Sequence, residues 1–197
     1  MTLVTRKAPT FFSTAILKNN KIIEKFDFKK YIKNKISVLF FWPMDFTFVC
    51  PTEIIEFNNS YEEFKKRNTR IIGVSCDSIY SHYTWKKIAI KNGGIGELKY
   101  TIISDIKKEI QKLYEVEHPE AGVSLRATFL IDNNGIIRNE IINDLPYGRN
   151  IKEVIRMIDA IKFHKKYGEV CPSNWNKNKI GIKPSIEGLK KYLKNKK

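Results

Sequence analysis

The sequence is poor in cysteine and histidine. Its 197 residues include three cysteines, Cys50, Cys76 and Cys171, and three histidines, and no two cysteines form a CxxC pair. Three cysteines are too few for a fold that depends on several disulfides. The absence of a CxxC pair argues against a dithiol exchange motif or a cysteine-based zinc site. The histidines show no metal-ligand spacing. We therefore expect no metal and no bound cofactor, and each cysteine is a candidate for catalysis, redox sensing or simple packing.

Long apolar runs are also missing. No stretch approaches the roughly 20 apolar residues that a membrane-spanning helix requires. Residues 1–9 lack the apolar core of a secretory signal. A reducing compartment also suits a chain with so few cysteines. These absences predict a cytoplasmic protein with no membrane partner.

Acidic residues are outnumbered by basic ones. The chain has 36 lysines and arginines against 21 aspartates and glutamates, for a formal net charge of +15. Such a charge raises the question of an anionic partner. The lysines are spread along the whole chain, however, and cluster only at 190–197. Because no helix-turn-helix, zinc-finger or RNA-binding aromatic signature is present, we expect no specific nucleic-acid binding. A basic holdase chaperone or nucleic-acid-associated protein is the non-enzymatic alternative.

Strand-like and helix-like segments alternate along the chain. Apolar runs typical of strands lie at residues 37–42, 70–76, 100–104, 127–131 and 136–142. Helical spacing of apolar residues occurs at 51–67, 80–92, 108–114 and 151–167. The alternation favours parallel pairing, and the sequence Asp132-Asn133-Asn134-Gly135 favours an antiparallel hairpin between the last two strands. This order predicts a thioredoxin-like α/β fold, in which helices flank a central mixed sheet.

The composition changes near residue 168. Residues 168–197 are poorer in periodic hydrophobic residues than the segment before them. We expect one domain over residues 1–167, a length that can bury a core without disulfides. The remainder, residues 168–197, is expected to form a C-terminal arm.

Cys50 has the most informative surroundings of the three cysteines. Strand-like sequence ends shortly before it, and helix-like sequence begins after it with Pro51. Proline is well tolerated in the first helical turn, so Cys50 is predicted to lie at a helix N-terminus, where unpaired N–H groups favour a thiolate. The thiolate is the reactive form of cysteine. A buried structural cysteine is the alternative, because free cysteine packs like a small hydrophobe.

Three separated segments resemble one family. Residues 43–53, PMDFTFVCPTE, resemble the active-site signature of peroxiredoxins, in which proline, three residues, threonine or serine, and two residues precede the cysteine. Residues 168–172, GEVCP, resemble the second cysteine site of the typical two-cysteine subgroup, and Ser124-Leu125-Arg126 resembles its arginine site. The resemblance implies a thiol-specific peroxidase that reduces hydrogen peroxide and organic hydroperoxides in antioxidant defence.

The resemblance also implies roles for individual residues. Cys50 would be the nucleophile that peroxide oxidises to a sulfenic acid, and Cys171 the resolving cysteine that condenses with it. The family forms this disulfide between two subunits, which implies a homodimer. Thr47 would form a hydrogen bond with the peroxide or the thiolate, and Arg126 would be a fixed cation for both. Pro43 would shield the sulfur. Glu53 would orient an arginine, and Arg149 would be the second arginine of the site.

Each assignment has a structural alternative. Taken alone, Thr47 could be a strand or cap residue, Arg126 a surface ion pair, and Pro43 the end of its strand. Cys171 could be an incidental cysteine of the arm. Cys76 matches no motif cysteine and is interpreted as packing. The enzymatic alternative is a protein thiol-disulfide exchanger, against which the missing CxxC pair counts.

The resemblance implies partners beyond the peroxide. A thioredoxin or a dedicated flavoprotein disulfide reductase would return the disulfide to thiols, and the long arm resembles that of thioredoxin-dependent members. Decamers built from dimers are expected from the family. Residues 93–96, GGIG, and Tyr192-Leu193 resemble paired motifs of peroxide-sensitive members. They predict that excess peroxide readily over-oxidises Cys50 to sulfinic acid.

Overall fold

The computed structural model describes residues 2–194. Residues 195–197, which belong to the predicted arm and to its lysine cluster, lie outside the described part of the chain. Two compact units are present, Met1–Ile151 and Lys152–Lys197. No helix among the described residues is long and apolar enough to cross a membrane.

The first unit contains a seven-stranded mixed sheet. The strands are β1 (Phe12–Ile16), β2 (Ile22–Asp27), β3 (Ile36–Phe41), β4 (Thr69–Ser75), β5 (Thr101–Ser104), β6 (Arg126–Ile131) and β7 (Ile137–Asn143). Their order across the sheet is β2-β1-β5-β4-β3-β6-β7. β3, β4 and β5 run parallel, whereas β1, β2, β6 and β7 pair antiparallel with their neighbours. The predicted mixed sheet and the antiparallel β6–β7 hairpin are confirmed.

Helices of the first unit flank this sheet. The helices of the first unit are α1 (Phe28–Ile32), α2 (Cys50–Asn59), α3 (Tyr61–Lys66), α4 (Ile79–Lys87) and α5 (Glu109–Leu113). The second unit contains most of α6 (Ile151–Tyr167) and α7 (Ile186–Lys194). The bounds of α6 agree with the predicted helix at residues 151–167.

β3 lies at the centre of the core. All six of its residues are buried, because it is paired on both edges with β4 and β6 and packed on both faces. Alternate residues of a strand point to opposite faces. Leu39 and Phe41 join one cluster with Phe28 of α1. On the opposite face Phe40 stacks on Phe57 of α2, with ring centroids 4.2 Å apart. The prediction of a central strand here is confirmed.

Two predicted helices are shorter in the structure. The helix predicted over 51–67 is divided at Ser60, whose φ of −80° and ψ of 1° separate α2 from α3. The helix predicted over 80–92 ends at Lys87 and is followed by a 3-10 turn, Ile90–Asn92. Apolar residues keep nearly helical spacing through both breaks, so periodicity alone could not indicate them.

Other elements form where the sequence predicts no regular structure. β1, β2 and α1 precede residue 37, the first predicted strand residue. α7 forms inside the predicted arm. Its residues Ile186, Leu189 and Leu193 recur at helical spacing, and this spacing is the signal that could have identified the helix.

Lys86 is a buried cation of α4. The residue is 2% exposed, and its ammonium nitrogen has no hydrogen-bond partner within residues 2–194. Burial lowers the pKa of Lys86, while the negative charge of Glu97 opposes this effect. A buried donor without a partner costs about 1–3 kcal/mol. Lys86 therefore destabilises the folded first unit.

We predict that Lys86→Met stabilises the protein against urea by about 1–3 kcal/mol at neutral pH, because methionine fills similar space without an unpaired charge. Since the pKa of Lys86 is lowered on folding, the unfolded chain binds more protons. The stability of the wild-type protein should thus rise as the pH approaches the ordinary lysine value of 10.5, and the advantage of the variant should shrink. Lys87→Met, at a half-exposed neighbour, is the control. Equal effects of the two substitutions would contradict this explanation.

Candidate active site

Cys50 is the first residue of α2, as the sequence predicts. Pro51 follows it in the first turn, where the N–H that proline lacks would have had no partner in the helix. β3 ends at Phe41, so the segment 42–49 leads from a central strand to the helix. The positive end of the α2 dipole lies at this position. The Cys50 side chain is 0% exposed, however, so a buried anion there needs further partners.

Arg126 is the first of these partners. It begins β6, whose antiparallel pairing with β3 sets Thr128 opposite Phe40. Because side chains alternate, Arg126 points to the same face of the sheet as Phe40, the face on which α2 packs. Its Nη1 donates to Cys50 Sγ at 3.3 Å and to Glu53 Oε2 at 2.8 Å. Its Nε donates to a backbone carbonyl at 2.6 Å. The guanidinium is therefore fixed against the sulfur.

Glu53 joins two arginines. It lies about one helical turn after Cys50, on the same side of α2. Its Oε2 accepts from Arg126 and from Nη2 of Arg149, both at 2.8 Å. Its Oε1 accepts from the backbone N–H and Nε of Arg149 at 2.9 and 2.8 Å. Nη1 of Arg149 also donates to one carbonyl oxygen of β3 and one of β6, at 2.8 Å each. Arg149 thus ties α2 to two strands.

These four side chains form a buried charge cluster. The side chains of Glu53, Arg126 and Arg149 are 2%, 5% and 1% exposed. Two guanidinium groups and one carboxylate give the cluster one net positive charge. Arg126 holds that charge against the Cys50 sulfur, where it can stabilise negative charge that develops in a reaction.

Thr47 and Pro43 lie on the loop that leads to Cys50. The Thr47 hydroxyl donates to the Met44 carbonyl at 2.9 Å, which leaves its oxygen able to accept a hydrogen bond. Pro43 is buried, and its carbonyl accepts from the Cys76 thiol at 3.4 Å. The structure places both residues on this loop, and their contacts with the sulfur or a peroxide stay predictions.

A buried polar network holds the same loop. Asp45 accepts from Trp42 Nε1 at 2.9 Å and pairs with His82 Nδ1 at 2.6 Å, while its backbone N–H donates to Asp77 at 2.9 Å. Ligand atoms of Asp45, Asp77 and His82 lie within 4.8 Å of one another, as in some cation sites. Because the two carboxylates and the imidazole are engaged in these hydrogen bonds, we interpret the group as a brace for the loop. The sequence alone does not predict this network. The place of Asp45 within residues 43–53 is the signal that could have identified its role.

The other two cysteines are held as thiols. Burial raises the pKa of Cys76 to about 11, and the charge of Asp77 adds to this effect. Cys171 lies in the second unit, where its thiol donates to the Ala160 carbonyl at 3.7 Å. Burial raises the pKa of Cys171 as well, although the charge of Arg156 opposes the change. Both side chains are therefore mostly protonated at neutral pH.

The chain is similar to known proteins over nearly its whole length. Residues 4–140 match the AhpC/TSA family, and residues 160–195 match the C-terminal domain of 1-Cys peroxiredoxin. The chain is 61% identical over 194 residues to alkyl hydroperoxide reductase C of Buchnera aphidicola subsp. Schizaphis graminum, with 98% of each protein covered. It is 48% identical over 192 residues to the mitochondrial thioredoxin-dependent peroxide reductase of Drosophila melanogaster, which covers 96% of this chain and 81% of that protein.

A solved structure shows the same architecture. The reduced 2-Cys peroxiredoxin of Plasmodium vivax superposes with a TM-score of 0.94 at 45% identity, covering 98% of this chain and 100% of that chain. This similarity confirms the predicted thioredoxin-like fold. With the family match over residues 4–140, it shows that the chain belongs to the AhpC/TSA family of peroxiredoxins.

Proposed function

We propose that this chain is a thiol peroxidase that reduces hydrogen peroxide and organic hydroperoxides and so serves antioxidant defence. The observation that carries the proposal is the 3.3 Å hydrogen bond from Arg126 Nη1 to Cys50 Sγ inside a buried charge cluster. Relatives named alkyl hydroperoxide reductase C and thioredoxin-dependent peroxide reductase support the same chemistry.

The first step is attack of the Cys50 thiolate on one oxygen of the peroxide. An S–O bond forms, and the O–O bond breaks with its electron pair on the departing oxygen, which takes a proton from water and leaves as water or an alcohol. The attacked oxygen keeps its hydrogen, so the sulfur is oxidised to a sulfenic acid. Arg126 touches the sulfur in the structure, so the same cation can stabilise charge on the thiolate and on the leaving oxygen.

The other site residues position this reaction. The Thr47 oxygen can accept a hydrogen bond from the attacked peroxide oxygen, because its own hydrogen is directed to Met44. Pro43 would exclude water from the sulfur. Glu53 and Arg149 act through Arg126, since Glu53 binds both guanidinium groups and Arg149 is anchored to the sheet. These roles belong to the proposal.

Burial of Cys50 favours a small substrate. The side chain is 0% exposed, and an exposed disulfide of a folded protein cannot approach a sulfur that is enclosed on all sides. A peroxide oxygen is about the size of a water molecule, so a much smaller local opening brings it to the sulfur. The alternative of a protein thiol-disulfide exchanger requires an accessible sulfur, so both the burial and the missing CxxC pair count against it.

The same burial constrains the second half of the cycle. In the proposed cycle Cys171 of a second subunit attacks the sulfenic acid, an S–S bond forms, and water leaves. Because Cys50 is buried at the start of α2, this first turn must open before the two sulfurs can meet. The cycle implies a homodimer, with residues 1–167 as the peroxidase domain and residues 168–197 as the arm that carries Cys171.

The partners follow from the same cycle. Thioredoxin is the proposed electron donor, in line with the name of the Drosophila melanogaster relative, and a flavoprotein disulfide reductase is the alternative donor. Assembly of the dimers into decamers and a cytoplasmic location complete the proposal.

We predict that Arg126→Met lowers the rate constant of Cys50 oxidation by hydrogen peroxide about 100-fold to 1000-fold, the usual loss when one charge-stabilising donor is removed. Stopped-flow tryptophan fluorescence of the reduced protein measures this rate. Arg138→Met, which removes a half-exposed arginine paired with Asp132 on the β6–β7 hairpin, is the control and should react like the wild type. A rate for Arg126→Met within about threefold of the wild type would overturn the proposed peroxidase site.

We predict that iodoacetamide alkylates Cys76 slowly at neutral pH, and that the rate rises with a midpoint at a pH of about 11, because burial keeps this thiol protonated. The measurement uses the double variant Cys50→Ser/Cys171→Ser, in which Cys76 is the only remaining thiol, and mass spectrometry of its peptides across a pH series. A midpoint near the ~8.5 of a free cysteine would show that Cys76 is not held as the structure describes.

A further inference from the structure

The second unit folds the segment that carries Cys171 back along α6. The Cys171 thiol donates to the Ala160 carbonyl at 3.7 Å. Four residues later, the Trp175 ring packs against the ring of Phe163 with centroids 4.8 Å apart, and Trp175 is 1% exposed. We call residues 171–175 the cysteine turn. Both of its ends are therefore docked on the same helix.

Arg156 of α6 completes this docking. Its Nη1 donates to the carbonyl of Trp175 at 2.9 Å. Its Nε and Nη2 donate to the two carboxylate oxygens of Glu153 at 2.6 and 2.7 Å. A guanidinium held at two points by a carboxylate has a fixed plane, so its Nη1 is aimed at the cysteine turn. The pair lies at the surface, with side chains 31% and 38% exposed, so water can replace the contact when the turn leaves.

The docked turn also contains an unfavourable feature. Trp175 Nε1 is buried and has no hydrogen-bond partner among the residues that the structure describes. An unpaired buried donor destabilises the state that buries it. The packing of Trp175 favours the docked state of the cysteine turn, but its unpaired N–H reduces the free-energy difference between the docked and released states. One hydrogen bond from Arg156 can therefore change the ratio of the two populations.

We propose that Glu153 and Arg156 form a latch that holds the cysteine turn on α6 and sets how fast Cys171 becomes available to the oxidised Cys50. The proposal rests on the proposed function, because it concerns the step in which the Cys171 thiol displaces water from the sulfenic acid. In the docked turn this thiol is partly buried and donates its hydrogen to a backbone carbonyl, so it must leave α6 before it attacks. Arg156 is thus a positioning residue for disulfide formation.

Arg156 could affect the same step in the opposite direction. Its positive charge favours the Cys171 thiolate, which would speed the attack. Burial outweighs that charge, however, since the net effect of the docked environment is to raise the pKa of Cys171. Release of the turn removes the burial, so the latch should slow disulfide formation. The sign of the effect of removing Arg156 distinguishes the two roles.

The test separates the two steps in the reduced full-length protein after one equivalent of hydrogen peroxide. Stopped-flow fluorescence follows oxidation of Cys50, and acid quenching with non-reducing electrophoresis follows the disulfide. Arg156→Met should leave the first rate unchanged and raise the second about threefold to tenfold, the range expected for the loss of one hydrogen bond. Less sulfinic Cys50 should form in excess peroxide, because the sulfenic acid persists for a shorter time.

Two further variants define the outcome. Glu153→Gln keeps the guanidinium but weakens its anchor, and it should raise the second rate by a smaller factor. Lys166→Met removes an exposed cation from the same helix and should change neither rate. A disulfide step that is unchanged or slower in both Arg156→Met and Glu153→Gln would overturn the latch. Failure of the wild-type protein to oxidise Cys50 at all would instead overturn the proposed function.

Discussion

Glu53 accepts hydrogen bonds from two buried guanidinium groups, and this carboxylate fixes the geometry around Cys50. Without it, two cations would lie together in the interior with no matching charge, an arrangement of high cost. With it, Arg126 reaches the sulfur while Arg149 binds carbonyl groups of two strands. The positive charge that remains lies against the Cys50 sulfur. One set of hydrogen bonds therefore attaches α2 to the sheet and, in the proposed function, positions the cation that acts on Cys50.

The enclosure that makes this cluster possible also creates a need for motion. A small local opening admits a peroxide to a sulfur that is 0% exposed, but a second cysteine cannot reach it while the first turn of α2 is intact. In the proposed cycle, the two tasks belong to different parts of the chain. Cys50 and its charge cluster lie in the sheet-containing unit, whereas Cys171 lies in the cysteine turn, which docks on α6 beside the partly exposed Glu153–Arg156 pair. The proposal thus assigns the rigid positioning of Cys50 and the release of Cys171 to separate elements.

The sequence predicted the elements that depend on residues close together in the chain. An apolar run followed by Pro51 placed Cys50 at the start of a helix, and an Asn- and Gly-rich turn indicated the β6–β7 hairpin. The contacts of Glu53 were not predictable in this way, because its two arginines lie 73 and 96 residues further along the chain. The motif resemblance indicated that Glu53 orients an arginine. Only the folded structure, which brings Arg126 of β6 and Arg149 of the segment after β7 to the same carboxylate, shows that it binds both. The burial of Lys86 was equally hidden, since the pattern of α4 gives no sign that a lysine lies inward.

The most direct measurement is non-reducing electrophoresis with mass spectrometry after one equivalent of hydrogen peroxide, comparing the wild type with Cys50→Ser and Cys171→Ser. We expect a dimer-sized band from the wild type in which Cys50 of one chain is linked to Cys171 of another. Both variants should lack this band. A Cys50 that stays reduced would contradict the claim that the buried charge cluster makes it the peroxide-reactive residue, and a linkage within a single chain would contradict the proposed dimer.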